Sequence, residues 1–211
     1  WPKGGEAPAE GLERFKKAFF ALLQRTRGNI AVVAHSGVNR MILADLKGPG
    51  IIRHVHCTRH QPEQMASRGV VLEIYFDGAE TPAVMCPLAD FFGDGCNGES
   101  MNFSSKFIEC APWSYNCYFP MPFRESARVV LRNDTARNAL NYSYEEWEPL
   151  PEWDPELGYF HASYNREQFR LDRDAFISLI EVEGSGQVVG NGRCDRRRPP
   201  GRCRPHRCTW R

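Results

Sequence analysis

The stretch that decides the fold is Arg68-Gly69-Val70-Val71-Leu72-Glu73-Ile74-Tyr75-Phe76-Asp77-Gly78. It is an apolar run rich in β-branched and aromatic residues that ends at an Asp-Gly turn, a pattern typical of a β-strand. Similar runs, divided by Gly, Asp, Asn and Pro, recur at 51–57, 117–119, 127–131 and 176–183. This spacing predicts a mainly β domain, a β-sandwich or jelly roll, over residues 48–191. We expect residues 141–155, with their two tryptophans, to form a structured loop.

The N-terminal residues 1–47 have a different pattern. Apolar residues recur at helical spacing over 11–27 and predict a helix. Residues 29–37 form an apolar run that ends in a polar turn, which predicts a buried strand, and residues 38–46 follow as a second predicted helix. We therefore expect a short α/β helix–strand–helix fragment before the β domain.

The bulk composition excludes several functions. The 211 residues carry a formal net charge of +1, and eight arginines fall in residues 192–211, so nothing outside this tail suggests a nucleic-acid partner. No apolar run approaches the roughly 20 residues that span a bilayer, and no signal peptide is visible, so we expect a cytoplasmic protein without membrane contact. Cysteines Cys86, Cys110 and Cys117 lie among apolar residues and are expected in the core. We expect no cofactor and no bound metal.

Two phrases carry most of the candidate binding residues. They are Pro87-Leu88-Ala89-Asp90-Phe91-Phe92-Gly93 and Tyr115-Asn116-Cys117-Tyr118-Phe119-Pro120-Met121-Pro122-Phe123-Arg124. A carboxylate accepts hydrogen bonds from sugar hydroxyls, aromatic rings cover the apolar side of a sugar ring, and amide, guanidinium or imidazole groups donate. Polar groups that converge in an apolar cleft are typical of a ligand site. The predicted substrate-binding residues are Asp90, Phe91, Phe92, Asn102, Trp113, Asn116, Tyr118, Arg124 and His161. The alternative is that the aromatics are core residues and that Asp90 caps a turn.

Residues 48–191 resemble the DUF2961 family, a glycoside hydrolase family that acts on furanosides. The resemblance rests on Gly48-Pro49-Gly50-Ile51-Ile52-Arg53-His54, on the 68–78 stretch, on the two phrases above and on Tyr159-Phe160-His161-Ala162. It implies a homo-oligomeric jelly-roll enzyme that cleaves fructofuranosides or arabinofuranosides with retention, through paired glutamates. In the family these glutamates follow the segment that corresponds to residues 184–190. Here an arginine-rich sequence follows instead, so we expect the catalytic glutamates to be absent.

That expectation leaves two further functions open. The domain could be a noncatalytic carbohydrate-binding or oligomer-contact module. The other alternative concerns Val33-Ala34-His35-Ser36-Gly37-Val38-Asn39-Arg40, which resembles the second-histidine motif of the histidine phosphatase (phosphoglycerate-mutase-like) superfamily over about residues 1–46. His35 would then bind phosphate, although the chain has no Arg-His-Gly motif to supply that family's nucleophile.

The C-terminal residues 192–211 are rich in Arg, Pro and Cys and show no periodicity. Such a composition cannot bury a core, so we expect a disordered tail. A shifted reading frame is our preferred explanation of its composition. Two alternatives remain. The tail could bind zinc through Cys194, Cys203, His206 and Cys208, or it could bind nucleic acid nonspecifically.

Overall fold

The computed structural model describes Lys17 and residues 30–34, 40–58, 68–94, 102–135, 141–165, 181–190 and 209–210. These residues form two β-sheets, one with seven strands and one with six. Buried side chains from both sheets belong to one hydrophobic core cluster, so the architecture is that of a β-sandwich. The predicted mainly β, sandwich-like fold is therefore confirmed.

The seven-stranded sheet has the order β1-β11-β3-β8-β7-β6, and β9 also pairs with β3. Its neighbouring strands run antiparallel. Its strands are β1 (Ile30–Ala34), β3 (Gly50–Thr58), β6 (Phe103–Ser104), β7 (Ile108–Ala111), β8 (Ser114–Cys117), β9 (Met121–Phe123) and β11 (Asn141–Pro149).

The six-stranded sheet has the order β13-β12-β5-β4-β10-β2. It is antiparallel except where β12 pairs in parallel with β5. Its strands are β2 (Arg40–Lys47), β4 (Val70–Phe76), β5 (Val84–Pro87), β10 (Ser126–Asn133), β12 (Ala162–Ser163) and β13 (Thr209–Trp210).

Strand β4 shows why this sheet has one apolar and one polar face. Val70, Leu72, Ile74 and Phe76 alternate along it and all belong to the core. Burial of each such side chain contributes about 1.5–3 kcal/mol. Glu73, on the other face, receives hydrogen bonds from Arg40, Arg132 and Tyr75, which compensate for its burial.

A single helical turn, α1 (Leu88–Phe91), follows β5 directly. Its side chains are buried, and the backbone N–H groups of Phe92, Gly93 and Asp94 bond back to carbonyls within the turn. Gly93 has a φ of +79°, the left-handed conformation in which glycine commonly ends a helix. The phrase around Asp90 is thus a core-packed turn between the sheets rather than an exposed loop.

Two sequence-based predictions of local structure are wrong. Residues 40–47 form strand β2 and not a helix, because the segment pairs along β10 in the six-stranded sheet. Residues 141–149 form strand β11 and not a loop, because this segment pairs with β1 on one side and β3 on the other. Strand formation at 51–57, 70–76 and 127–131 is confirmed, as is a strand within 29–37.

Other predictions fall wholly or partly outside the described residues. These are the helix at 11–27, apart from Lys17, and most of the 192–211 tail, of which Thr209–Trp210 form β13. Of the predicted strand at 117–119 only Cys117 belongs to a strand, and of 176–183 the described residues 181–183 lie outside any strand. Within the described chain, no helix has the length and apolar character needed to cross a membrane.

Four cysteines of the described chain are buried thiols in the core. They are Cys57, Cys86, Cys110 and Cys117, and their burial confirms the core placement expected for the last three. Burial raises the pKa of Cys86 and of Cys117 to about 12. These thiols stay protonated and act as small apolar residues.

Candidate functional site

The outer face of the seven-stranded sheet carries a row of polar and aromatic side chains. The register places Glu109 of β7 opposite Asn116 of β8, Asn116 opposite His56 of β3, and His56 opposite Tyr144 of β11. Because side chains alternate between faces, the residues next to these in each strand point into the core. We call His54, His56, Asn116, Tyr118 and Tyr144 the outer-face cluster.

Asn116 is the centre of this cluster. Its Oδ1 lies 3.1 Å from Nε2 of His54 and 3.0 Å from Nδ1 of His56. Its Nδ2 lies 3.3 Å from a carboxylate oxygen of Glu109 and 3.3 Å from the Ser114 hydroxyl. A carboxylate only accepts, so Nδ2 is the donor there, and the amide oxygen must accept from both imidazoles. In this arrangement Nε2 of His54 and Nδ1 of His56 donate to Asn116.

Two tyrosines pack on the two imidazoles. The Tyr118 ring stacks on His54 with centroids 4.5 Å apart, and the Tyr144 ring stacks on His56 at 4.6 Å. Tyr118 is 43% exposed, whereas His54 and Asn116 beneath it are buried. Burial, aided by the nearby acids Glu109 and Glu146, raises the pKa of Tyr118, so its phenol stays neutral and can donate a hydrogen bond. The result is a rigid polar base with an accessible aromatic ring above it.

Carboxylates lie at both ends of the cluster. Glu109 bonds to Asn116, and Glu146 lies 3.6 Å from Nδ1 of His54. Each carboxylate can accept hydrogen bonds from hydroxyl groups at its end of the cluster.

The structure brings some of the sequence-predicted site residues together. Asn116 and Tyr118 belong to the cluster. Trp113 lies in the turn between β7 and β8, at the opposite end of β8 from Tyr118, and 83% of its surface is exposed.

Three of the other predicted residues lie in the interior. Phe91 and Phe92 are fully buried core residues, so their ring faces are covered by protein. Phe92 stacks on Tyr115 at 5.0 Å. Asp90 pairs with Arg68 at 2.8 Å, and burial raises the pKa of Asp90 against the opposing effect of Arg68. The expectation that the two phenylalanines offer accessible ring faces is therefore corrected. They are core residues, as the alternative interpretation held.

The remaining predicted residues are distributed over separate connections. Asn102 precedes β6, Arg124 lies between β9 and β10, and His161 precedes β12, and all are exposed. His35 lies outside the described residues, and so does the phosphate site proposed for it. In the described part of the chain, no three His, Cys, Asp or Glu side chains are grouped so as to hold a metal ion.

Sequence reasoning missed His54, His56, Tyr144 and Glu146 as site residues. A signal was present in Arg53-His54-Val55-His56-Cys57, where two histidines alternate with apolar residues within a predicted strand. Residues two apart share a face of a strand, so both histidines had to face away from the core. Tyr144 and Glu146 could not be found in the same way, because their segment was interpreted as a loop.

A β-sandwich with a polar, aromatic outer face is the architecture of many domains that bind or process carbohydrate. The family model described as GH172 domain-like matches residues 26–145, which is more than half of the chain. The chain therefore belongs to this glycoside-hydrolase-related family. The match includes β1 and β2 as well as the central β region. Among curated proteins, none matches the sequence.

Proposed function

We propose that this chain is a glycoside-hydrolase-related domain that recognises carbohydrate at the outer-face cluster without cleaving it. The observation that carries the proposal is the hydrogen-bonded row Glu109–Asn116–His56 beside the exposed ring of Tyr118, which stacks on His54. Donors and acceptors fixed by a buried network lose little entropy when they bind a ligand. Furanosides are the substrate class that the DUF2961 resemblance implies.

The chemistry of the cluster supports a neutral, hydroxyl-rich ligand. Asn116 holds both imidazoles in place, the His56 ring and the Tyr118 phenol can exchange hydrogen bonds with hydroxyl groups, and the carboxylates at either end accept from hydroxyl groups. The Tyr118 ring offers an apolar face to the C–H side of a sugar. We further propose that the catalytic glutamates of the family are missing here, because an arginine-rich sequence follows residue 190, where the resemblance places them.

Titration with methyl β-fructofuranoside, followed by calorimetry, tests the binding. We expect Tyr118→Ala to weaken binding by about tenfold, because loss of one stacked ring costs about 1–1.5 kcal/mol. Tyr142→Ala is the matched control: Tyr142 is 40% exposed on β11 and should bind the sugar as the unchanged protein does. Equal affinity for all three proteins, or an equal loss in both variants, would show that the cluster does not bind the sugar.

Hydrolysis is measured separately with a nitrophenyl arabinofuranoside. We expect no release of nitrophenol above the rate in buffer. Turnover by this chain that disappears on Glu109→Gln or Glu146→Gln would contradict the noncatalytic role.

A further inference from the structure

The outer-face cluster continues along β3 toward the end of the strand that bears Thr58. Core residues alternate with His54, His56 and Thr58, so these three side chains lie on one face of the strand. Thr58 pairs with Ser114 of β8, and its Oγ1 accepts a hydrogen bond of 3.0 Å from the backbone N–H of Tyr142 on β11. We call Thr58, Ser114 and Tyr142 the distal group.

Hydrogen bonds and ring contacts connect the distal group to the outer-face cluster. The Ser114 hydroxyl lies 3.3 Å from Nδ2 of Asn116, the central amide of the cluster. The ring of Tyr144 stacks on His56 at 4.6 Å and meets the ring of His54 edge-on at 5.2 Å. The floor between the two ends of this face is therefore a continuous surface of polar groups and rings.

Exposed aromatic side chains stand at both ends of this floor. Tyr118, which stacks on His54, is exposed at one end, and Tyr142 is exposed at the other. Trp113 directly precedes Ser114 in the turn between β7 and β8, so it is exposed at the Tyr142 end. A sheet face with separated aromatic rings suits a ligand that offers several apolar ring faces in succession.

The separation of the two ends decides the size of that ligand. His54 and Thr58 are four positions apart on β3, or roughly 13 Å along a strand. One furanose ring is smaller than this distance, so a monosaccharide at Tyr118 leaves Tyr142 uncovered. A chain of several linked rings covers both tyrosines.

The charges on this face favour a neutral chain over an anionic one. Burial raises the pKa of Tyr118, and the nearby carboxylates of Glu109 and Glu146 add to that effect. The exposed guanidinium of Arg53 on β3 is already bonded to Glu148 at 2.8 Å. Phosphate or carboxylate groups of an anionic polymer would therefore meet repulsion from Glu109 and Glu146.

We propose that the outer-face cluster and the distal group together bind a linear oligosaccharide of neutral sugar rings, with one ring on Tyr118 and a later ring on Tyr142. This inference rests on the proposed function and extends it from one sugar to a chain. The side chains of His56, Thr58 and Ser114 between the two tyrosines exchange hydrogen bonds with the hydroxyl groups of the intervening rings. Once one ring is bound, a linked ring reaches the second tyrosine at a high effective concentration, so both contacts increase the affinity.

Calorimetric titration of the full chain with inulotetraose, a linear chain of β-fructofuranosyl units, tests this extension against methyl β-fructofuranoside. We expect the oligosaccharide to bind about tenfold more tightly than the monosaccharide. Tyr142→Ala should remove most of that gain and leave the affinity for the monosaccharide unchanged, because one ring at Tyr118 does not reach Tyr142. Met85→Ala is the control on the other sheet: Met85 is exposed on β5, and its replacement should change neither affinity.

An oligosaccharide that binds no more tightly than the monosaccharide would overturn the inference. So would a gain that Tyr142→Ala retains, as expected if the oligosaccharide only offers more copies of one ring. Oligouridylate should not bind, and tighter binding of this anionic chain than of the oligosaccharide would contradict the choice of ligand. If neither sugar binds, the proposed function and this inference both fail; if the monosaccharide binds and no Tyr142-dependent gain follows, this inference alone fails.

Discussion

At the scale of single residues, Asn116 and Glu145 are two opposite cases of a buried polar group within one sheet. Asn116 is 8% exposed and has partners for both its oxygen and its nitrogen. Glu145 is 1% exposed and, among the described residues, has none. Satisfied polar networks stabilise one arrangement of the side chains, whereas an unsatisfied group costs free energy. We therefore expect replacement of Asn116 and replacement of Glu145 to have opposite effects on the stability of the protein.

Replacing Asn116 should destabilise the protein. Asn116→Leu removes the acceptor for both imidazoles and leaves the buried Nε2 of His54 without its partner. We expect the free energy of unfolding to fall by about 1–3 kcal/mol. Urea unfolding measures it, and Ser104→Ala, at an exposed position of β6, is a control that should change it by less than about 0.5 kcal/mol. A loss no larger than that of the control would show that the network does not stabilise the fold.

Replacing Glu145 should change how stability depends on pH. The pKa of Glu145 is about 8 in the folded chain, against an ordinary value of 4.5. Between these values the folded state binds more protons than the unfolded state, so this group makes stability fall as pH rises, by about 1.4 kcal/mol per pH unit. Glu145→Gln removes the effect, and its stability relative to the unchanged protein should increase steadily across that window and level off above it.

Urea unfolding of both proteins at a series of pH values measures this difference. The other titrating groups are common to both proteins and cancel. Cys57 and Cys117 stay protonated throughout, because burial raises the pKa of each thiol. A difference in stability that does not vary with pH would mean that Glu145 is ionised or solvated in the folded chain.

At the scale of the strands, local pattern predicted only the segments whose inner residues are apolar. Strand β4 could be recognised because Val70, Leu72, Ile74 and Phe76 occupy one face. Strand β11 could not, because its inner residues include Asn141, Ser143 and Glu145, so no apolar alternation marks it. Strand β2 contains Met41, Ile42, Leu43 and Leu46, whose spacing also fits a helix, and only the long-range pairing with β10 decides between the two.

As with the strands, only part of the candidate site could be predicted from the sequence. Asn116 and Tyr118 were found from one phrase of sequence, and two histidines were visible as an alternation. The partners that complete the cluster come from β11, some ninety residues along the chain from β3, and such register cannot be inferred from local sequence.

Gly50 links β3 to the inner face of β11 and gives a test at the scale of the strands. A Cβ at this position would lie 2.7 Å from Cζ of Phe123 and 3.0 Å from the backbone oxygen of Glu148. The same Cβ would lie 3.1 Å from a ring carbon of Trp147. We expect Gly50→Ala to destabilise the protein by about 1–3 kcal/mol through overpacking and to shift the NMR resonance of the Trp147 indole N–H. Gly158→Ala is the matched control, since no atom lies within 4 Å of its added Cβ. Equal thermal stability of both variants would contradict the packing at the start of β3.

At the scale of the whole molecule, strands β1 and β2 make residues 30–34 and 40–47 part of the sandwich. Strand β1 pairs with β11 in one sheet, and β2 pairs with β10 in the other. The family match begins at residue 26 and includes both strands. A separate N-terminal fragment over residues 1–47 stays a prediction, and deletion of the chain from its N-terminus can test it.

Removing residues 1–47 should abolish cooperative unfolding, whereas removing residues 1–25 should preserve it. The longer deletion removes Leu43, Ala44 and Leu46 from the core and exposes the edge of β10. Two buried leucines contribute about 3–6 kcal/mol, a large share of the 5–15 kcal/mol typical of a domain. Thermal unfolding followed by circular dichroism distinguishes the two proteins. If the chain that begins at residue 48 melts as cooperatively as the chain that begins at residue 26, the sandwich does not depend on β1 and β2, and the boundary predicted between residues 47 and 48 is correct.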